Sequence, residues 1–444
     1  MIPSRVALSL CALLLLMACG RVPPPTDVLR RGNGPEPDSL DPALARSDSA
    51  ATILRDIYEG LARLDEAARP VPAAASGWSV SPDGRVYTIR LRAGLRWSNG
   101  EPLTADDFVQ SWRRLVDPAT GSQYAEVLAP VSNAQEVIEG RLPRTALGIE
   151  ATDASTVTVH LKAATAYFPA LLAHWSTFPT YKGQVPAAPG KTVTNGAYTP
   201  VSWTVGTQVI ARRNALYREA AAVRIPEVRY LHVVDPRDEY SRYRAGELEV
   251  TYALPAASLD QLRTRHGAEV HRAPQLGLYY YGFNLQAEPF AGHLGLRQAL
   301  AMTVDRERLV SMVTALGETP AYGWVPDGID GYTPQRFVWM DWPRERRLAE
   351  ARRLYHAAGY GPGHPLRFDL RYPTGATHEK LALAVTAMWR EALGADVRPV
   401  GEEFRSLLES INRSEAVMFR SSWIGDYNDP YRSEEHTSEL QSHS

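Results

Sequence analysis

Apolar and polar positions along the chain repeat with two periods, one helical and one extended. Residues 51–64 place Ile53, Leu54, Ile57 and Leu61 at helical spacing, with Gly60 near the close, and predict an amphipathic helix. Val86-Tyr87-Thr88-Ile89-Arg90-Leu91 alternates with period two and predicts a half-buried strand entered from the turn Pro82-Asp83-Gly84. Gly94 ends that strand, and Leu95-Arg96-Trp97 extends to a second turn at Ser98-Asn99-Gly100. Thr104 is placed to cap a helix over 105–115. Asp106 and Asp107 fall in its electropositive first turn, and Phe108, Val109, Trp112 and Leu115 share one face. The same reading puts strands at 28–31, 156–161, 208–211 and 228–233, and helices at 258–265, 294–316, 344–358 and 378–393. Strands alternating with helices, with no internal repeat, make an α/β chain with mixed sheets.

Composition narrows the class. A chain of 444 residues, 44% hydrophobic and 22% charged, can bury a large core and has room for two or three domains. A net charge of -2 argues against a nucleic-acid surface, and no basic run supports one. The N-terminus speaks for export. Arg5 precedes the apolar run 6–17, too short for a membrane span and proportioned like a signal-peptide core. It ends in Leu16-Met17-Ala18-Cys19-Gly20, which resembles the bacterial lipobox. Residues 1–19 are therefore expected to be a lipoprotein signal peptide region with Cys19 lipidated, residues 20–27 a stiff tether, and Gly20 is compatible with sorting to an outer membrane. Cys11 leaves with the signal, so Cys19 is the one mature cysteine, which excludes a disulfide framework and a cysteine-based metal site. At the other end, Arg432 to His443 reads as the in-frame translation of a sequencing-adapter oligonucleotide. The tail 432–444 is expected to be an artefact and the C-terminal part of the fold to be truncated.

Catalytic constellations are not found. There is no Gly-x-Ser-x-Gly elbow and no phosphate loop, and His378-Glu379-Lys380-Leu381-Ala382 lacks the second histidine of a zinc-protease motif. The run Phe419-Arg420-Ser421-Ser422-Trp423-Ile424-Gly425-Asp426-Tyr427-Asn428-Asp429-Pro430 places a cation, an indole and a carboxylate close together. A free peptide needs an anion for its ammonium, a guanidinium for its carboxylate and apolar walls between. The same residues also read as a strand ending in an Asp-Asn-Pro turn with a surface ion pair.

Several segments carry a resemblance. The run from Tyr87 to Phe108, Val193-Thr194-Asn195-Gly196-Ala197-Tyr198, Arg242-Tyr243-Arg244-Ala245-Gly246-Glu247-Leu248-Glu249, Tyr279-Tyr280-Tyr281-Gly282-Phe283-Asn284 and the run from Leu296 to Arg306 occur in order. Together they resemble the extracellular solute-binding proteins of family 5, the peptide-binding components of ABC importers. The resemblance implies a two-lobed, class II-like periplasmic binding-protein fold that closes on its ligand, with lobe I at 28–58 and 183–277, an inserted domain at 59–182 and an incomplete lobe II at 278–431.

It also implies site residues. Asp426 matches the aspartate that holds a peptide's α-ammonium and Arg420 an arginine that meets its carboxylate. His378 aligns with a histidine used by longer peptides, Tyr124 with a tyrosine contacting the peptide, and Trp423 and Phe404 with aromatic walls. Tyr252, Ser422 and Gly425 lie where backbone or hydroxyl hydrogen bonds are offered. Arg46 replaces an acidic residue, Met312 and Thr314 stand where a lysine is expected, and Ile411 replaces an arginine, with Arg413 two residues on. Trp97, Trp112 and Tyr87 are expected in a core, and Thr194-Asn195-Gly196 in a turn. The implied function is non-enzymatic: a lipid-anchored periplasmic monomer, without cofactor, that captures short peptides for an inner-membrane ABC permease. A murein peptide, haem or a metal chelate are alternative ligands, and a periplasmic hydrolase is the alternative of another class.

Overall fold

The computed structural model describes residues 27–425, apart from 256–258, 272, 274, 330 and 331. Cys19 and Asp426 lie outside the described residues. The chain forms two compact units. One holds the described residues up to Asp65 together with Pro70–Leu254, and the other holds Glu66–Arg69 and the described residues from Pro255 onward.

The first unit contains β1 (Val28–Gly32), β2 (Ala62–Leu64), β3 (Pro70–Pro72), β4 (Ala75–Val80), β5 (Val86–Leu91), β6 (Ile149–Asp153), β7 (Thr156–His160), β8 (Tyr198–Thr204), β9 (Gln208–Arg213) and β10 (Glu227–Leu231). One mixed sheet has the order β1-β10-β9-β8, with β1 parallel to β10 and the rest antiparallel. A second, antiparallel sheet has the order β4-β5-β7-β6. The alternation in β5 buries Tyr87, Ile89 and Leu91. The helix Ala105–Val116 buries the apolar face expected of it, and Trp97 and Trp112 are both fully buried. Asp107 explains its start: the carboxylate accepts the Thr104 N–H at 2.8 Å and the Trp97 indole N–H at 3.3 Å. Trp112 donates its indole N–H to the Thr177 carbonyl at 2.8 Å, so each buried tryptophan has its polar atom satisfied.

The helix expected over 51–64 is shorter. It runs Asp48–Ile57, begins at the Ser47 cap and stops where Tyr58 turns extended. Tertiary partners end it. The Asn195 side chain accepts the Glu59 N–H and donates to the Glu59 carbonyl, and Gly196 sits so close to the backbone of Ile57 and Tyr58 that a Cβ there would overlap it. Leu61 still reaches the core, from an extended segment. Thr194-Asn195-Gly196 is thus a buried turn that fastens the segment following that helix.

The second unit contains β11 (Gly277–Phe283), β12 (Arg367–Pro373), β13 (Asp396–Glu402) and β14 (Met418–Ile424), in the order β11-β14-β12-β13. β12 runs parallel to both neighbours, while β11 is antiparallel to β14. The helices Leu294–Thr303, Arg344–Ala357 and Ala376–Leu393 contribute Leu300, Tyr355, Val385 and Trp389 to one core with Leu370 and Met418 of the sheet. The single helix expected over 294–316 breaks at Val304. Asp305 takes up a capping conformation and accepts the Arg308 N–H at 3.1 Å. The turn Arg306–Arg308 and a π-helical stretch, Leu309–Thr314, follow. Arg306 donates to the Ala301 and Val304 carbonyls, which satisfies acceptors at the end of the first helix.

Candidate functional site

The site is built on two strands. β11 and β14 pair antiparallel, with Tyr281 opposite Arg420 and Tyr279 opposite Ser422. Directly opposed residues share a face, and so do residues two apart along a strand. Tyr279, Tyr281, Arg420 and Ser422 therefore stand on one side of the sheet. The Arg420 guanidinium carbon lies 4.4 Å from the centre of the Tyr279 ring. Tyr279 and Tyr281 meet edge to face at 5.9 Å. The first turn of the helix Ala376–Leu393 adds His378, whose Nδ1 is 3.4 Å from the Tyr279 hydroxyl.

The electrostatics follow from burial and one fixed charge. Burial, together with the positive charge of Arg420, pushes the His378 imidazole down to about 4, so it is neutral at pH 7. Burial raises the Tyr279 and Tyr281 hydroxyls, which stay protonated. The guanidinium cannot shed its charge. Its Nε is buried and has no hydrogen-bond partner among the described residues. The arrangement combines a permanent cation, two phenols and a neutral imidazole. Its unmet demand is an anion, and a carboxylate matches a guanidinium in shape as well as charge.

The other sequence-derived candidates divide. Strand geometry separates Trp423 from Arg420: Trp423 pairs with Leu278 and stands on the opposite face of the sheet. On that face Tyr280 packs against Trp324 at 4.7 Å. The proximity of cation and indole in the sequence is not proximity on one face, because positions three apart in a strand point opposite ways. Ser422 is exposed. The Gly425 N–H is used by the Leu276 carbonyl at 2.8 Å, which leaves that residue no free donor on the backbone. Phe404 opens the helix Phe404–Asn412. Asp426, the expected ammonium partner, lies outside the described residues.

Tyr124 and Tyr252 belong to the first unit. Tyr124 packs against His174 at 5.0 Å and Trp175 at 5.3 Å. Tyr252 is 40% exposed, and its N–H is bound by Glu239 at 2.7 Å. The substituted positions are occupied otherwise: Arg46 reaches Asp38 at 3.5 Å, Met312 is 72% exposed, Thr314 donates to Glu318 at 2.7 Å, and Arg413 pairs with Glu415 at 3.0 Å. In the sequence Tyr279 and Tyr281 stand only in a segment that carries the family resemblance. The register with β14, which sequence pattern does not give, puts them beside the cation.

Comparison with known proteins gives the family. The family model for bacterial extracellular solute-binding proteins, family 5, middle part, matches residues 69–437. The periplasmic murein peptide-binding protein MppA of Escherichia coli is 37% identical over 402 residues, covering 89% of this chain and 74% of the relative. The solved structure of that protein superposes with a TM-score of 0.82 at 35% identity, covering 94% of this chain and 84% of the other. The periplasmic oligopeptide-binding protein OppA of Escherichia coli is 37% identical over 411 residues, covering 90% and 75% of the two chains. The probable deoxycholate-binding periplasmic protein YgiS of the same organism is 36% identical over 413 residues, covering 91% and 77%. The expected two-lobed α/β binding-protein fold is the fold of this family, whose members bind solutes for transport and are not enzymes. On the family match and these identities, the chain belongs to the bacterial extracellular solute-binding proteins of family 5.

Proposed function

We propose that this protein is a periplasmic, lipid-anchored binding protein that captures short peptides and delivers them to an inner-membrane ABC permease. The observation that carries this reading is the Arg420 guanidinium, held over Tyr279 with a buried Nε lacking any partner among the described residues. A desolvated donor on a permanent cation is expensive to leave unmet, and a peptide's C-terminal carboxylate satisfies it. His378 and Tyr279 add neutral hydrogen-bonding groups. Asp426 holds the α-ammonium, Tyr124 and Tyr252 contact the peptide from the first unit, and Trp423 and Phe404 supply apolar walls. The protein acts as a monomer, anchored through Cys19. Residues 59–182 form an inserted domain of lobe I. Relatives named for an oligopeptide, a murein peptide and deoxycholate stand at nearly equal identity, so the ligand is argued from the site.

Calorimetric titration separates the ligand classes. Tri- and tetrapeptides, including a murein tripeptide, are expected to bind, and their N-acetylated forms to bind more weakly. Deoxycholate, an anion with no ammonium, is expected not to compete. Equal affinity for acetylated and free peptides overturns the role of Asp426. Binding of deoxycholate without binding of any peptide overturns the peptide reading.

A further inference from the structure

The chain leaves the first unit after Leu254, and four of the residues just before that point are fastened in turn. The Glu249 N–H donates to the Arg30 carbonyl at 2.8 Å, and the Glu249 carboxylate binds the Arg30 side chain. The Gly32 N–H donates to the Val250 carbonyl at 2.9 Å. Next, the N–H groups of Tyr252 and Ala253 both point at one carboxylate, Glu239, at 2.7 and 3.0 Å. Glu239 is buried, 1% exposed, in the first turn of the helix Pro236–Ala245. Its charge is faced by Arg31 on β1. The site is built around it: a Cβ on Gly32 would overlap its Oε1. The Tyr252 ring in turn lies on Gly34, where a Cβ would come within 2.8 Å of the ring. Glu239 is the one buried residue of that helix, and a buried acid costs free energy unless partners of this kind satisfy it.

We propose that Glu239 is a positioning residue for Tyr252: by accepting two consecutive backbone N–H groups it fixes the last turn of the first unit and, with Gly34, the direction of the Tyr252 ring. The proposal rests on the reading of Tyr252 as a ligand-contacting side chain. A glutamine at 239 keeps the shape but replaces one acceptor with an N–H₂ that meets a backbone N–H head-on. The turn should loosen while the helix stays folded.

The test uses the full chain with a fluorine-labelled tyrosine at position 252, read by NMR, alongside peptide calorimetry. Glu239→Gln is expected to shift or broaden the Tyr252 resonance and to weaken tripeptide binding about tenfold, the scale of one charge-assisted hydrogen bond. Glu239→Asp, which keeps the charge but shortens the reach, should give an intermediate shift. The affinity loss should vanish in a Tyr252→Ala background, which a merely structural role would not produce. An unchanged Tyr252 resonance in Glu239→Gln overturns the proposal, as does an affinity loss of the same size with and without Tyr252. If the wild type binds no peptide, the functional reading fails, while the resonance still decides whether Glu239 positions the ring.

Discussion

Two arginines, one in each unit, have opposite surroundings. Arg114 in the first unit is buried with its side chain 9% exposed, and Asp41, 7% exposed, answers it with both carboxylate oxygens. Asp41 also accepts the Ala43 N–H at 3.0 Å, so the pair closes on itself. Arg420 in the second unit has an aromatic ring beneath it, a neutral imidazole beside it and a buried Nε without a partner among the described residues. Arg114 is buried as a whole, whereas Arg420 is half-buried with its Nε shut off from solvent. What separates them is whether the protein completes the hydrogen bonding of the cation itself. A completed pair holds the fold. Arg31, Arg113 and Arg347 also carry a buried Nε without a partner among the described residues, so what sets Arg420 apart is that donor together with the Tyr279 ring and the neutral His378.

The largest expected effect breaks the completed pair. Asp41→Ala leaves the Arg114 guanidinium buried and uncompensated, and should cost about 3–5 kcal/mol of stability in a denaturant titration. Peptide affinity of the fraction that remains folded should not change. A cost below about 1 kcal/mol would mean that Arg114 relaxes to water and that the contrast with Arg420 is false.

The incomplete cation predicts the reverse pattern. Arg420→Met should lower affinity for peptides with a free C-terminal carboxylate by roughly 10- to 100-fold, the scale of a hydrogen bond to a charged group. Stability should stay within about 0.5 kcal/mol or rise, because a partly unsatisfied charge is replaced by an apolar chain of similar length. Arg420→Lys should recover little, since an ammonium lacks the planar fork. Equal affinities of wild type and Arg420→Met would remove the carboxylate from this site.

Why the two arginines differ was only partly readable from sequence. The strand at β5 and the helix Ala105–Val116 were legible because period, turn and cap all lie within a few residues of one another. The helix over 51–64 was read too long because Asn195 and Gly196, which end it, are remote in sequence. The helix over 294–316 was read through a break because Asp305 competes for the backbone inside an otherwise apolar pattern. Arg420 and His378 came from family resemblance, not from periodicity. Their shared neighbour Tyr279 needed the register of β11 against β14. Trp423 is close to Arg420 in sequence only: strand alternation puts the two on opposite faces of the sheet.

A smaller effect sharpens the electrostatic side. His378 titrates near 4 in the folded protein and at its ordinary 6.5 when unfolded, since burial and Arg420 disfavour its charged form. Between those values the unfolded chain binds the proton and the folded chain does not. Stability is thus fully present above pH 6.5 and falls as pH drops towards 4. His378→Gln should flatten that part of the stability–pH profile, and NMR titration of His378 should show a midpoint near 4. A midpoint near 6.5 would mean that the ring is solvated and does not feel the guanidinium.

The smallest effect comes from a third arginine that looks best on geometry. Arg398 donates two hydrogen bonds to Asp369, at 2.8 and 2.6 Å, across neighbouring strands β13 and β12. Its side chain is 74% exposed. Water solvates both partners when they part, and holding them together costs side-chain entropy, so Arg398→Ala should change stability far less than Asp41→Ala in the same denaturant titration. The loss should shrink further at high salt, unlike that of Asp41→Ala, because screening reaches exposed charges and not buried ones. The coupling between Arg398 and Asp369 can be isolated with a double-mutant cycle. A coupling as large as that between Arg114 and Asp41 would show that good geometry suffices without burial. The contrast between Arg114 and Arg420 would then rest on geometry and no longer on burial.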